Sequence, residues 1–375
     1  MLLLRRSAAL VLVLLLAGCT PRQSAEPIQV AHLLPLTGPG KKSAEEAQRG
    51  MSLALGDINA EDQRIAGRTV LVRFIDSRGD PDHVQREAVR LVTVNKVVAF
   101  VAGPDSRCAE PLAGTAQKYG VPVFIPCDMP PETGVEGFIS LNASPATRGQ
   151  ILARYAAKEL KPARAVVLTD QGNPVAVALA AAFLKEWPRA NPPTVEECPY
   201  HNDSERGEFF HTLARKPPEV ALFAGTPADF LTLAGQLQEE KVKVTLLYGG
   251  EDGGAGALQR PGTEAVTATV FAPEGLTDKG KEFAQRYREQ YHEPPSFAAA
   301  QAYDAGRLLF ETMQQAKTAT PARIRDDLLK LDAFESVTGK VTWKDRKPQR
   351  TVFVVRVKYD EAKVMQTVAP DDGEK

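Results

Sequence analysis

From Ile28 onward the chain alternates short β-branched apolar runs with longer amphipathic stretches, the pattern of parallel strands covered by helices. Ile28 to Leu33, Val70 to Ile75, Val97 to Val101 and Val121 to Ile125 read as buried strands. A second series follows at Ala165 to Leu168, Val220 to Phe223, Val244 to Leu247 and Thr267 to Phe271. Between the first two strands, Ser43 to Ala60 predicts a helix with Ala47, Met51, Ala54, Leu55 and Ile58 on one face and Ser43 with Glu46 as a capping box. Four other helix starts are written as a capping residue followed by proline: Ser144-Pro145, Asn173-Pro174, Thr226-Pro227 and Thr320-Pro321. Lys279 to His292 and Phe297 to Gln315 also read as helices. The end of the chain changes character, because Val341 to Trp343 and Thr351 to Lys358 flank a charged turn and predict a hairpin. The fold class is therefore α/β, with enough units for two open sheets and a cleft where their strand ends face each other.

The first residues follow another logic. Arg5 and Arg6 precede an apolar run from Ser7 to Leu16 that is too short for a membrane span of about 20 residues. It ends in Leu16-Ala17-Gly18-Cys19, which resembles a bacterial lipobox: residues 1–18 would be removed and Cys19 acylated. The alternative is an ordinary signal peptide with an incidental cysteine. Residues 19–27, polar with two prolines, read as a tether. What remains is longer than one hydrophobic core usually serves, so two domains are expected.

Composition narrows the partners. The 46 Lys and Arg residues balance 47 Asp and Glu, so no net field draws the chain to nucleic acid. Three cysteines remain besides Cys19. In an oxidising compartment Cys108 and Cys127 are the candidate disulfide, each following a strand end, the alternative being two reduced, buried thiols. Cys198 is left over, and the spacing fits neither a zinc ribbon nor a Cys-x-x-Cys centre.

Tests for chemistry fail one after another. Gly275 to Glu282 has phosphate-loop spacing but carries Glu282 where the magnesium-binding hydroxyl belongs, and reads as a polar helix start. Gly249 to Gly254 does not match the dinucleotide fingerprint. The five histidines show no His-Glu-x-x-His spacing, and there is no Gly-x-Ser-x-Gly elbow. We expect neither an enzyme, nor a cofactor, nor a metal. What recurs is a set of polar residues just after strands: Thr37, Asp105, Ser106, Arg107, Cys127 and Asp128 in the first half, then Asn173, Thr226, Glu251 and Asp252 in the second. Several would serve equally as helix caps, and a capped N-terminus also offers N–H groups to a ligand carboxylate.

Pro35-Leu36-Thr37-Gly38, Gly50 through Ile58-Asn59, Asp76 with Pro81, Gly103-Pro104 through Ser106, Tyr119-Gly120-Val121-Pro122, Ala302-Tyr303-Asp304-Ala305 and Val337 to Val341 occur in one order. Together they resemble the type I periplasmic solute-binding proteins of the leucine/isoleucine/valine-binding branch, the receptors of ABC importers. The resemblance implies two Rossmann-like lobes joined by three crossings and closing on one small ligand, with no enzymatic activity. It implies an N-terminal lobe of 28–143 plus 273–336, a C-terminal lobe of 144–272 plus 337–367, and a tail of 368–375. It also implies that Ser106 serves a ligand carboxylate and Glu251 an ammonium. Asp105, Asp128, Glu251 and Asp252 would crowd four carboxylates against Arg107, so a cationic, amide-like or polyhydroxylated solute is as well suited as an amino acid. The expected function is a lipid-anchored, monomeric receptor on the periplasmic side of a bacterial membrane, partnered by an ABC permease. The alternative is an outer-membrane lipoprotein of the same fold that senses or scaffolds by binding a protein. Thr20-Pro21 after the lipid cysteine, with no aspartate, favours the outer membrane if the source is Gram-negative.

Overall fold

A computed structural model describes residues 26–60, 63–104, 109–128, 137–188, 193–250, 253–259, 264–359 and 361–370. The first sheet is built from β1 (Ile28–Leu34), β2 (Val70–Asp76), β3 (Ala99–Val101), β4 (Val123–Ile125) and β5 (Phe138–Ser140). Their order is β2-β1-β3-β4-β5, parallel throughout. Parallel neighbours require crossovers, supplied here by α1 (Lys41–Asn59), α2 (Pro81–Thr93) and α3 (Leu112–Tyr119).

The chain then leaves for a second sheet. After α4 (Pro145–Tyr155), strands β6 (Arg164–Asp170), β7 (Thr194–Tyr200), β8 (Val220–Ala224), β9 (Thr245–Tyr248) and β10 (Glu264–Thr269) alternate with α5 (Pro174–Glu186), α6 (Asp203–Arg215) and α7 (Pro227–Glu239). It returns to the first sheet as α8 (Asp278–Tyr291), α9 (Phe297–Ala316) and α10 (Pro321–Leu328). A small antiparallel sheet of β11 (Ala333–Ser336), β12 (Gly339–Lys344) and β13 (Lys347–Gln349) follows. Finally β14 (Val352–Lys358) and β15 (Glu361–Val368) extend the second sheet, whose order is β15-β14-β10-β9-β8-β6-β7. The two lobes are thus linked by three passages of the chain.

Sequence rules explain the helix ends. The side chains of Asp80, Ser144, Asn173 and Thr226 accept from backbone N–H groups of the first turn, each with proline next in sequence. Thr277 caps α8 by accepting from Gly280 N, so the phosphate-loop look-alike is a polar helix start. Three expectations need correction. Thr320 stands at the N-cap of α10, but its side chain makes no capping hydrogen bond. The Ser43–Glu46 capping box does not form: α1 begins two residues earlier, with Gly40 as its N-cap and no side-chain cap, which puts Ser43 inside the first turn. Nor do β12 and β14 make a hairpin. The turn at Asp345 and Arg346, both with positive φ, returns the chain into β13, and β14 pairs with β10 and β15 instead.

One apolar cluster runs through both lobes, from Val30 and Met51 to Leu179 and Leu222, and separate clusters fill the opposite face of each sheet. The tightest helix contact is α1 against α9. A Cβ on Gly50 would fall 2.0 Å from the Ala299 carbonyl oxygen, and one on Gly306 would meet Met51 and Ala54 at 2.9 Å. The alanines of α9 and these two glycines let the backbones approach. Among the described residues, no helix is long and apolar enough to cross a membrane.

The passages between lobes are held by buried polar groups. Arg350 donates from Nη1 to the Leu141 carbonyl at 2.5 Å and from Nη2 to Ser336 Oγ at 3.2 Å and Thr338 Oγ1 at 2.7 Å. Thr338 in turn donates to the Val270 carbonyl at 2.9 Å. Leu141 lies on the first passage, Val270 on the second and Ser336 to Thr338 on the third, so one guanidinium ties all three.

Candidate functional site

The carboxyl ends of the parallel strands carry the site, because there the loops leave the sheet and the next helices begin. In the first lobe β1 delivers Pro35 to Gly38. Asp76, the last residue of β2, organises this loop: its Oδ1 accepts from Leu36 N at 3.0 Å and Arg78 N at 2.9 Å, and its Oδ2 from the Thr37 hydroxyl at 2.8 Å. Against the upward push of partial burial, these donors hold the Asp76 carboxyl below its ordinary range. The hydroxyl of Thr37 is therefore committed to shaping its own loop.

β4 delivers Cys127 and Asp128, both 2% exposed. Asp128 Oδ1 accepts from Asn142 Nδ2 at 2.8 Å, while Oδ2 receives Arg148 Nη2 in an ion pair between side chains only 0% and 1% exposed. The same Arg148 Nη2 donates to the Gly250 carbonyl at 3.0 Å. Asp128 follows a strand of the first sheet, Arg148 sits in the first turn of α4, and Gly250 follows β9 of the second sheet. One guanidinium thus joins the strand ends of both lobes. Asp128 is correspondingly not one of four unpaired acids crowding the cleft; its charge is met by Arg148 and shared with Asn142. Removing one partner of such a buried pair typically costs about 3–5 kcal/mol, since the other charge is left desolvated.

The second lobe is packed closely at the same level. A Cβ on Gly250 would lie 1.8 Å from the Gly225 carbonyl oxygen, and one on Gly249 would lie 2.4 Å from Leu179 Cδ2. Tyr248 donates its hydroxyl to that Gly225 carbonyl at 3.2 Å. Gly254, with φ of +70°, turns toward α9, where a Cβ would come 2.8 Å from Phe297 Cβ. This is a second contact across the lobes. The side chain of Asn173 accepts from Val175 N and Ala176 N, and Thr226 Oγ1 accepts from Asp229 N and donates to Asp229 Oδ2. Both side chains cap helices whose N-termini open at the carboxyl edge of the second sheet.

Asp105, Ser106, Arg107, Glu251 and Asp252 lie outside the described residues, as do Cys108 and Cys19. The Cys108–Cys127 bridge and the lipidation therefore carry over as expectations only. Cys198 is a buried thiol in β7, pushed up to about 11 by burial and so held unreactive. The acid-rich stretch near His201 is an exposed helix start in which Glu205 accepts from His201 N at 2.8 Å. No cluster among the described residues could hold a metal ion.

Sequence reasoning passed over Arg148, Asn142, Gly250 and Phe297. Arg148 lies in a predicted helix beside ordinary polar residues, and nothing in its spacing distinguishes it from a solvated helical charge. The glycine run at 249–250 and the Ser144-Pro145 helix start were visible separately; only the fold places them together.

Comparisons with known proteins agree with this architecture. A Leu/Ile/Val-binding protein homolog from Brucella suis is 25% identical over 350 residues, covering 86% of each chain. A branched-chain amino acid transporter substrate-binding protein from Streptococcus pneumoniae, in complex with isoleucine, superposes with a TM-score of 0.78 at 21% identity, covering 91% of this chain and 98% of that one. An ABC transporter solute-binding protein from R. palustris, in complex with benzoate, gives a TM-score of 0.75 at 16% identity over 92% of this chain and 97% of that one. The two structural likenesses show the fold alone. The sequence profile described as periplasmic binding protein matches residues 27–363, nearly the whole described length, and on that match the chain belongs to the periplasmic binding protein family, whose members are small-ligand receptors rather than enzymes.

Proposed function

We propose that the protein is a lipid-anchored receptor that captures a small polar solute between its lobes and presents it to an ABC permease. The solute class is an amino acid or a related amine or amide, and the receptor acts as a monomer outside the cytoplasm. In this reading Cys19 carries the lipid and the lobes divide near residues 143, 273 and 337. Ser106 and Glu251 contribute from opposite walls of the cleft. The observation that carries the proposal is the meeting of strand ends from both sheets at Asp128, Arg148 and Gly250, the position at which open α/β sheets take their ligands. The relatives named for Leu/Ile/Val binding support the amino-acid class.

The test is mass spectrometry of the signal-free protein, purified without added ligand, under native and then denaturing conditions. A reproducible small adduct released on unfolding is expected. A broad panel of amino acids, amines, amides and sugars should include at least one that raises the melting temperature, at micromolar affinity or tighter, about 8 kcal/mol. Ser106→Ala and Glu251→Ala should each weaken that binding without unfolding the protein. No adduct and no stabilisation would replace this reading with that of a scaffold that binds a protein.

A further inference from the structure

We infer that Arg148 is a ligand-contacting, specificity-determining residue that takes an anionic oxygen of the solute. The inference rests on the solute-receptor reading above and deepens it.

A guanidinium carries five N–H donors in a planar fork. Both hydrogen bonds that Arg148 makes within the protein leave from Nη2, to Asp128 Oδ2 and the Gly250 carbonyl. Nε is buried and has no acceptor. The whole residue is 1% exposed, so Nε is not satisfied by facing bulk solvent. Buried donors in folded proteins are nearly always paired, and an idle one needs a reason. At a site where the strand ends of two lobes converge, a ligand oxygen is that reason.

Charge points the same way. Asp128 meets the guanidinium through Oδ2, its Oδ1 being taken by the Asn142 amide, so the ion pair is single-pronged and leaves Nε without a protein acceptor. The Gly250 carbonyl brings a dipole but no charge. Arg148 is thus held through Nη2, while Nε remains without a protein acceptor. Nη2 belongs to both edges of the guanidinium and is already engaged, so the free donors take single oxygens, and an anionic oxygen accepts such an N–H more strongly than a neutral amide does. The pair has a second consequence for specificity. A solute without an acceptor at this point would leave the donors unpaired in a closed cleft, which is how binding sites reject analogues lacking one polar group.

The experiment is calorimetric titration with two matched pairs, L-isoleucine against L-isoleucinamide and benzoate against benzamide. The unsubstituted protein, Asp128→Asn, and the double variant Asp128→Asn with Arg148→Gln are compared. The double variant removes both charges together, so no lone buried ion remains to unfold the protein. For whichever pair binds, the acid should bind roughly 100-fold more tightly than its amide, and Asp128→Asn should keep that ratio or raise it. The double variant should bring the ratio below about 5-fold with amide binding unchanged, whereas a purely structural role would weaken acid and amide alike. An unchanged ratio in the double variant, or equal binding of acid and amide by the unsubstituted protein, overturns the inference. A protein that ignores both pairs yet carries a neutral solute from purification overturns it while leaving the receptor reading intact. A protein that binds no solute at all overturns both.

Discussion

Asp304 closes on the backbone N–H of Val337 through both carboxylate oxygens, at 3.2 and 3.1 Å, from a position with no exposed surface. It thereby fixes the third passage between the lobes against α9. Arg307 Nη1 stands 3.7 Å from the same carboxylate, and Val337 also accepts from Thr277 N at the start of α8.

Burial pushes the Asp304 carboxyl up to about 7 against the pull of Arg350 and Arg307. With the folded pKa above the unfolded one, the folded state holds the extra proton between about pH 4 and 7. The group's stabilisation is full below its unfolded pKa and is lost as pH rises through about 7. Asp304→Asn keeps an oxygen for the Val337 N–H and removes the titration. Urea unfolding across this window should show a shallower decline in the variant, the difference reaching on the order of a few kcal/mol at pH 8.

His32 supplies the opposite slope. It lies in β1 with no exposed surface, and desolvation lowers its pKa to about 3. The unfolded chain therefore binds a proton between about pH 6.5 and 3 that the folded chain refuses, and stability falls as pH drops through that range. His32→Leu should flatten the acid limb of the stability profile without affecting the neutral side. An acid limb identical to that of the unsubstituted protein would refute the assignment.

Two glycines of one helix should respond in opposite directions. Gly50→Ala would drive a methyl group onto the Ala299 carbonyl and should cost about 3 kcal/mol or more. A Cβ on Gly56 meets nothing within 4 Å, so Gly56→Ala should stabilise by about 0.5–1 kcal/mol through helix propensity. Midpoints of chemical unfolding for the two variants check the pair.

Arg350→Met should destabilise by about 2–4 kcal/mol, because the Leu141 carbonyl and the hydroxyls of Ser336 and Thr338 lose their shared donor in a buried setting. Hydrogen exchange should quicken at residues 141–144, 270–272 and 336–338 ahead of both sheets. Loss confined to the small β11–β13 sheet would count against the inter-lobe role.

The sheets were legible wherever a strand is buried on both faces. β1, β6, β8 and β9 stand out as apolar runs because neither side chain set faces water. β7 and β15 were missed for the converse reason: they are edge strands whose residues are mostly exposed, and Glu196, Glu197, Glu361 and Lys363 break the apolar pattern. The hairpin error has the same origin. β12 and β14 each look like half of a ribbon, but long-range pairing with β10 claims β14, and pairing partners at such separation leave no local trace.

The sequence by itself determined the local structure: where helices begin, because Ser144, Asn173 and Thr226 carry their own capping oxygens, and where buried strands run. It also determined the polar loops at strand ends, since strand order and connection rules place those loops on one edge. Only the tertiary structure decided which of those polar groups meet. Asp128, Arg148 and Gly250 are separated by whole units of secondary structure, and a charge reads the same in sequence whether solvated or buried. Burial beside an opposite charge is what turns Arg148 from a surface helical residue into the link between lobes.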